Sequence, residues 1–132
     1  MKKRTLMIFL AFAALVFASL ACDFNVSTAS VSSAILTPDK TLTTDTTSFT
    51  SDQAFYLVVN LSNAPDSTKL KAVWSSLDDA GKATQLTEKE IVSGSSPITF
   101  SATDSTPWPA GKYRVELYMN DKLNLTKDFS VQ

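Results

Sequence analysis

Between residues 55 and 131 the chain keeps a two-residue rhythm, and that rhythm limits its fold more than any other feature. In Phe55-Tyr56-Leu57-Val58-Val59-Asn60-Leu61, the residues Phe55, Leu57, Val59 and Leu61 make one apolar file. Leu70, Ala72 and Trp74 repeat it against Lys69, Lys71 and Val73, and Ile98, Phe100 and Ala102 repeat it after Pro97. Tyr113, Val115, Leu117 and Met119 alternate with Lys112, Arg114, Glu116 and Tyr118. Leu123, Leu125, Phe129 and Val131 alternate with Asn124, Thr126, Asp128 and Ser130, with Lys127 the one lapse. Successive side chains of a strand point to opposite faces, so a period of two predicts strands with one buried face. Residues 30–36 and 83–92 are weaker strands of the same kind. Helical periodicity is missing beyond residue 22.

The three glycines and five prolines all fall between the apolar runs, as turn punctuation does when strands are uninterrupted. Asn120-Asp121 predicts a short hairpin turn, and Asp78-Asp79-Ala80-Gly81-Lys82 a turn whose glycine takes positive φ. Six or seven short strands with one apolar face each must pack as two sheets, face to face. Residues 41–50 hold six threonines and stay polar on both faces until Phe49, which leaves an edge strand or a loop.

Trp74 in the third strand, and Pro109-Ala110-Gly111-Lys112-Tyr113-Arg114-Val115 leading into the sixth, resemble immunoglobulin-like and fibronectin III-like modules. The resemblance covers residues 29–131 and implies an all-β, two-sheet antiparallel sandwich of about seven strands. It also implies that Tyr113 is the corner tyrosine whose hydroxyl bonds upstream backbone, with Val115 where antibody domains carry their second cysteine. The antibody cysteine pair is missing. Architecture of this kind hosts many unrelated tasks, so it leaves function open.

The amino-terminal segment speaks about compartment. Met1-Lys2-Lys3-Arg4 is a basic head, and the 16 residues 6–21 contain no charge, glycine or proline. A basic head, an apolar run and small residues at a cleavage point mark a secretory signal, helical in the precursor. The rival, a retained transmembrane helix, needs about 20 apolar residues. Directly after the run stands Cys22, the single cysteine. Ala18-Ser19-Leu20-Ala21-Cys22 resembles the loose form of the lipobox of bacterial lipoproteins; the tight form has Leu three residues before the cysteine, where Ser19 stands here. That resemblance implies cleavage after residue 21 and a diacylglyceryl thioether plus an acylated amine at Cys22. Cleavage by the ordinary signal peptidase would instead leave an unpaired thiol in an oxidising compartment. The expected organisation is a signal peptide at 1–21, a lipidated start and tether at 22–28, and a sandwich at 29–132. The expected location is the outer side of a bacterial membrane, at the cell surface or in the periplasm.

Removing residues 1–21 leaves 111 residues with nine basic and 13 acidic side chains, a net charge of −4. A basic stripe is what nucleic acid requires, so no nucleic-acid partner is expected. Histidine is missing altogether, which removes the commonest neutral-pH base and metal ligand and the Ser-His and Cys-His nucleophile pairs. No G-x-S-x-G elbow or glycine-rich phosphate loop occurs. Asp78-Asp79 lacks the alternating oxygen ligands of a calcium loop and reads as a solvated turn. Glu88 and Glu90 share a strand face with Leu86 and Val92, as on an edge blunted by charge. No enzyme, cofactor or metal is expected.

Binding candidates remain. Tyr118 faces away from Leu117, beside Arg114 and Glu116 on its own strand, and Lys71 lies on the strand that neighbours it in the immunoglobulin order. Tyr and Arg on an open sheet face are the composition of recognition surfaces. Trp108, between Pro107 and Pro109, is either a plug over one end of the core or an exposed anchor. The leading expectation is a membrane-anchored, extracytoplasmic binding or structural module meeting an envelope protein or glycan. The alternative is a secreted inhibitor or accessory subunit of an enzyme, acting through the loops at one end.

Overall fold

The computed structural model describes residues 28–41, 43–103 and 107–132, so the signal segment, Cys22 and all but the last residue of the tether lie outside the described residues. Eight strands follow in order: β1 (Ser30–Thr37), β2 (Ser48–Phe49), β3 (Phe55–Ser62), β4 (Lys69–Leu77), β5 (Ala83–Val92), β6 (Ile98–Ala102), β7 (Gly111–Met119) and β8 (Lys122–Val131). They form a three-stranded sheet in the order β1-β3-β6 and a five-stranded sheet in the order β2-β8-β7-β4-β5. In the lettering of the immunoglobulin sandwich these are A-B-E and A′-G-F-C-C′. Every ladder is antiparallel except the two-residue pairing of β2 with β8. The seven longer strands coincide within a residue or so with the alternating segments of the sequence.

Alternation decides which face is buried. Phe55, Leu57 and Val59 from β3, Leu70, Ala72 and Trp74 from β4, Ile98, Phe100 and Ala102 from β6, and Tyr113, Val115 and Leu117 from β7 all enter one core. That core is graded along its length. At the far end, away from where the chain enters at Thr28, it is aromatic: Phe55 lies 4.9 Å from Phe49, 4.8 Å from Phe129 and 4.6 Å from Trp108 between ring centroids. At the near end, beside the start of β1, it is aliphatic, and Val31, Leu61, Ile91, Met119 and Leu125 are only partly covered.

The threonine-rich segment runs as a loop into β2 and bridges the two sheets. The N–H of Thr46 donates to the Leu36 carbonyl of β1, while the N–H groups of Ser130 and Gln132 donate to the carbonyls of Thr47 and Phe49. Lys127, the lapse in the pattern, lies opposite Val115 and reaches Asp45 in this segment at 2.7 Å. The other oxygen of Asp45 accepts the N–H of Leu36 at 2.6 Å. One carboxylate therefore links β1 to β8. Burial pushes that carboxyl upward, but the Leu36 N–H and the Lys127 ammonium outweigh it and hold Asp45 below its ordinary range.

Two β-bulges shift side chains that alternation alone misplaces. Between β7 and β8 the register jumps at Asn124, so Leu123 leaves the apolar file, lies opposite Tyr118 and is 48% exposed. Between β4 and β5, Leu86 is the extra residue and leaves the row of Glu88 and Glu90. It lines a cleft with Trp108 and Tyr113 instead. The β7–β8 connection is the two-residue turn expected: Asn120 and Asp121 have φ of 49° and 66°, the double left-handed geometry of a type I′ hairpin.

Candidate binding surface

The outer face of the five-stranded sheet carries four of the five candidate residues. Register places them in rows across β5, β4, β7 and β8: Glu90, Lys71, Tyr118 and Leu123; then Glu88, Val73, Glu116 and Thr126; then Gln85, Ser75, Arg114 and Asp128. Lys71 Nζ stands 5.1 Å from the centre of the Tyr118 ring, within cation–π range. The Tyr118 hydroxyl lies 3.5 Å from Glu116 Oε2, long for a hydrogen bond. Val73 and Ser75 are buried beneath this polar layer, flanked by Glu88 and Glu116 and by Gln85 and Arg114. Charged stems thus roof a partly apolar floor.

Arg114 is not a free cation. Its Nε and Nη2 donate to Asp128 Oδ1 and Oδ2 at 2.6 and 2.9 Å, a two-point clamp that fixes the guanidinium plane. This bond holds the Asp128 carboxyl below its ordinary range, against a small opposing effect of burial, and raises Arg114. Alternation shows Asp128 on the outward face, but naming it as the partner needs the cross-strand register. Lys69 pairs similarly with Asp121 at 2.8 Å across the near-end hairpin. Among the described residues the charged groups of these rows outside an ion pair are therefore Lys71, Glu116, Glu88 and Glu90.

Trp108 is not on this surface. It is 3% exposed at the far end, its ring against Phe55 and 5.8 Å from Tyr113, and its backbone N–H donates to the Ser51 carbonyl at 2.8 Å. Offered as part of a binding surface, it belongs instead to the core, because a large ring flanked by strand starts fills the open end of a sandwich. Next to it the Tyr113 hydroxyl donates to the Pro109 carbonyl at 2.6 Å, which closes the corner, and burial pushes that phenol above its ordinary pKa. A mostly apolar cleft of about 450 Å³ opens beside them, lined by Leu77, Leu86, Pro109, Lys112 and the edges of Trp108 and Tyr113. In the neighbouring turn Asp78 Oδ1 accepts the N–H groups of Ala80 and Lys82 at 3.0 and 2.7 Å, so this carboxylate serves the turn. Among the described residues no group of three or more His, Cys, Asp or Glu is placed to hold a metal ion, and no helix is long and apolar enough to cross a membrane.

No family model matches the chain, and no curated protein is similar enough to count as a relative. Among solved structures, an immunoglobulin-like protein of Pseudomonas aeruginosa aligns over 79% of this chain and 96% of its own, with a TM-score of 0.55 and 16% identity. The fold is immunoglobulin-like. At that identity the likeness is one of fold alone. An alkylpurine DNA glycosylase of Pseudomonas fluorescens, bound to DNA containing an abasic site analog, aligns over 79% of this chain and 30% of its own at 14% identity. Its TM-score of 0.49 is too low to carry a conclusion.

Proposed function

We propose that this chain is an exported bacterial lipoprotein, held to the outer side of a membrane through Cys22, whose sandwich is a non-catalytic binding or structural module of the envelope. The observation that carries the reading is the position of the sole cysteine, directly after a basic head, an uncharged run and Ala21. Each buried acyl methylene contributes about 0.8 kcal/mol, so two or more chains hold a domain stably where one does not. No histidine is available for nucleophilic or metal chemistry, which supports a module that binds without catalysing. The binding part falls to the outer sheet face, with Lys71 and Glu116 outside any ion pair, Tyr118 beside them and Arg114 clamped, opposite an envelope protein or a glycan. Cys22→Ala should move the protein from the detergent to the aqueous phase in a phase-partition assay and abolish incorporation of labelled palmitate. Continued detergent-phase behaviour of the variant would favour an uncleaved helix.

The apolar cleft beside Leu86 and Trp108 supports a second reading, a secreted inhibitor or accessory subunit that engages an enzyme through the far-end loops. Leu86→Asp would then abolish the effect on the enzyme, while Tyr118→Ala would leave it intact.

A further inference from the structure

We infer that the near end of the sandwich is a membrane-resting surface, with Leu123 and Val92 in contact with the lipid headgroup boundary; the inference rests on the anchoring proposed above. The two ends of the domain are built differently. The far end is closed by rings, with Trp108 lying across Phe55 and Tyr113. Among the described residues the near end has no such plug, and the side chains of Val31, Leu61, Ile91, Met119 and Leu125 are left partly uncovered there. Among the described residues three large hydrophobics are exposed, and two of them flank this end: Val92 at 58%, closing β5, and Leu123 at 48%, in the β7–β8 bulge. The bulge matters, because straight pairing would have kept Leu123 in the core file.

The chain enters at the same place. Ala29 lines one cleft of about 480 Å³ together with Met119, Lys122 and Leu123. Seven residue-to-residue steps lead from Cys22 to Ala29, an extended reach of about 25 Å at most. Strands of nine or ten residues are about 30 Å long. Turning the far end to the bilayer would lift Ala29 higher than this tether allows. The near end therefore faces the lipid, and its open apolar rim gains by leaving water. Charge at this end is balanced, since Lys69 is paired with Asp121, Lys71 stands opposite Glu90, and the exposed Lys122 is offset by Asp66 in the β3–β4 loop. The contact should accordingly survive high salt.

The test uses the full chain, purified from membranes with its native Cys22 and reconstituted into vesicles of phosphatidylethanolamine and phosphatidylglycerol. An environment-sensitive fluorophore is placed at Leu123→Cys, at Val92→Cys or, as the far-end control, at Asp79→Cys, and quenched by spin-labelled lipids. Labelled variants that melt with the wild type are compared. The expected result is severalfold stronger lipid quenching at 123 and 92 than at 79, unchanged between low and high salt. Equal quenching at all three positions, or strongest quenching at 79, overturns the orientation. Shielding at 123 and 92 from aqueous iodide without lipid quenching points to a second copy of the chain and also overturns it. Mass spectrometry of the same sample separates the two claims: acyl chains on Cys22 without near-end quenching refute only the orientation, and Cys22 without acyl chains refutes both.

Discussion

Replacing Trp108 with alanine asks whether this residue closes the core or waits for a partner. Its side chain is almost wholly buried, its ring lies 4.6 Å from Phe55 and 5.8 Å from Tyr113, and Phe55 is the hub through which Phe49 and Phe129 also pack. Truncating a buried Trp to Ala costs about 3–5 kcal/mol. A domain of this size has roughly 5–15 kcal/mol in total, so the loss takes a large share of it. At roughly 4–8 °C per kcal/mol, the melting temperature should fall by about 12–40 °C. The assay is thermal unfolding followed by fluorescence of Trp74, which remains buried and reports the same core. Trp108→Phe is the control. Among the described residues the Trp108 indole N–H has no hydrogen-bond partner, so phenylalanine keeps the ring contact and sheds an unsatisfied donor. It should therefore cost under about 1.5 kcal/mol. A Trp108→Ala protein that melts with the wild type would refute the plug and return Trp108 to the binding candidates.

Three other outcomes follow from the geometry. Gly94→Ala should cost about 1–3 kcal/mol in urea unfolding, because its Cβ would stand 2.5 Å from the Ala64 carbonyl oxygen and 2.7 Å from the Pro65 carbonyl; an unchanged midpoint would show that the near-end loops do not press together. The carboxyls of Asp128, Asp121 and Asp45 are all held low, so their stabilisation is present above about pH 4 and lost as pH falls through their folded values. Melting temperature should drop on that acid limb, less steeply in Arg114→Gln, and a flat profile would contradict the ion pairs. Tyr118→Ala and Lys71→Ala should shift stability by less than about 1 kcal/mol yet reduce capture of an envelope partner in pull-downs from membranes, and undiminished capture by both would remove this face as the site.

Much of the sandwich is legible in the sequence because burial on one face imprints a period of two. The ends of β3, β5 and β6, and the hairpin at Asn120-Asp121, fall where the alternation and turn residues put them. What alternation cannot carry is a relation between strands. The placement of Phe49 in the core comes from Phe55 and Phe129, not from its polar neighbours, so β2 has no signature of its own. Leu123 and Leu86 match the pattern of their strands, yet bulges set by tertiary packing move both. Arg114 and Asp128 are each visible as outward residues, but their clamp exists only once β7 and β8 are in register. Lys127 looks like an error in the pattern until Asp45 is brought beside it from a distant loop.

The candidate surface follows the same division. The parity of Lys71, Arg114, Glu116 and Tyr118 places them on one face, and pairing of β4 with β7 brings Lys71 over Tyr118. Nothing in parity distinguishes a cation held in an ion pair from one outside it; only the register shows Arg114 clamped by Asp128 and Lys71 standing over the Tyr118 ring. Trp108 lies in a loop, where periodicity has no voice, and only the ring stack reveals its place.

The proposed anchoring of the chain at Cys22 is tested most directly by mass spectrometry of the amino-terminal peptide of protein purified from membranes. The account predicts a peptide that begins at Cys22 and carries diacylglyceryl and amine-linked acyl mass. A peptide that begins at Met1, or one that begins at Cys22 with a free thiol, would contradict it.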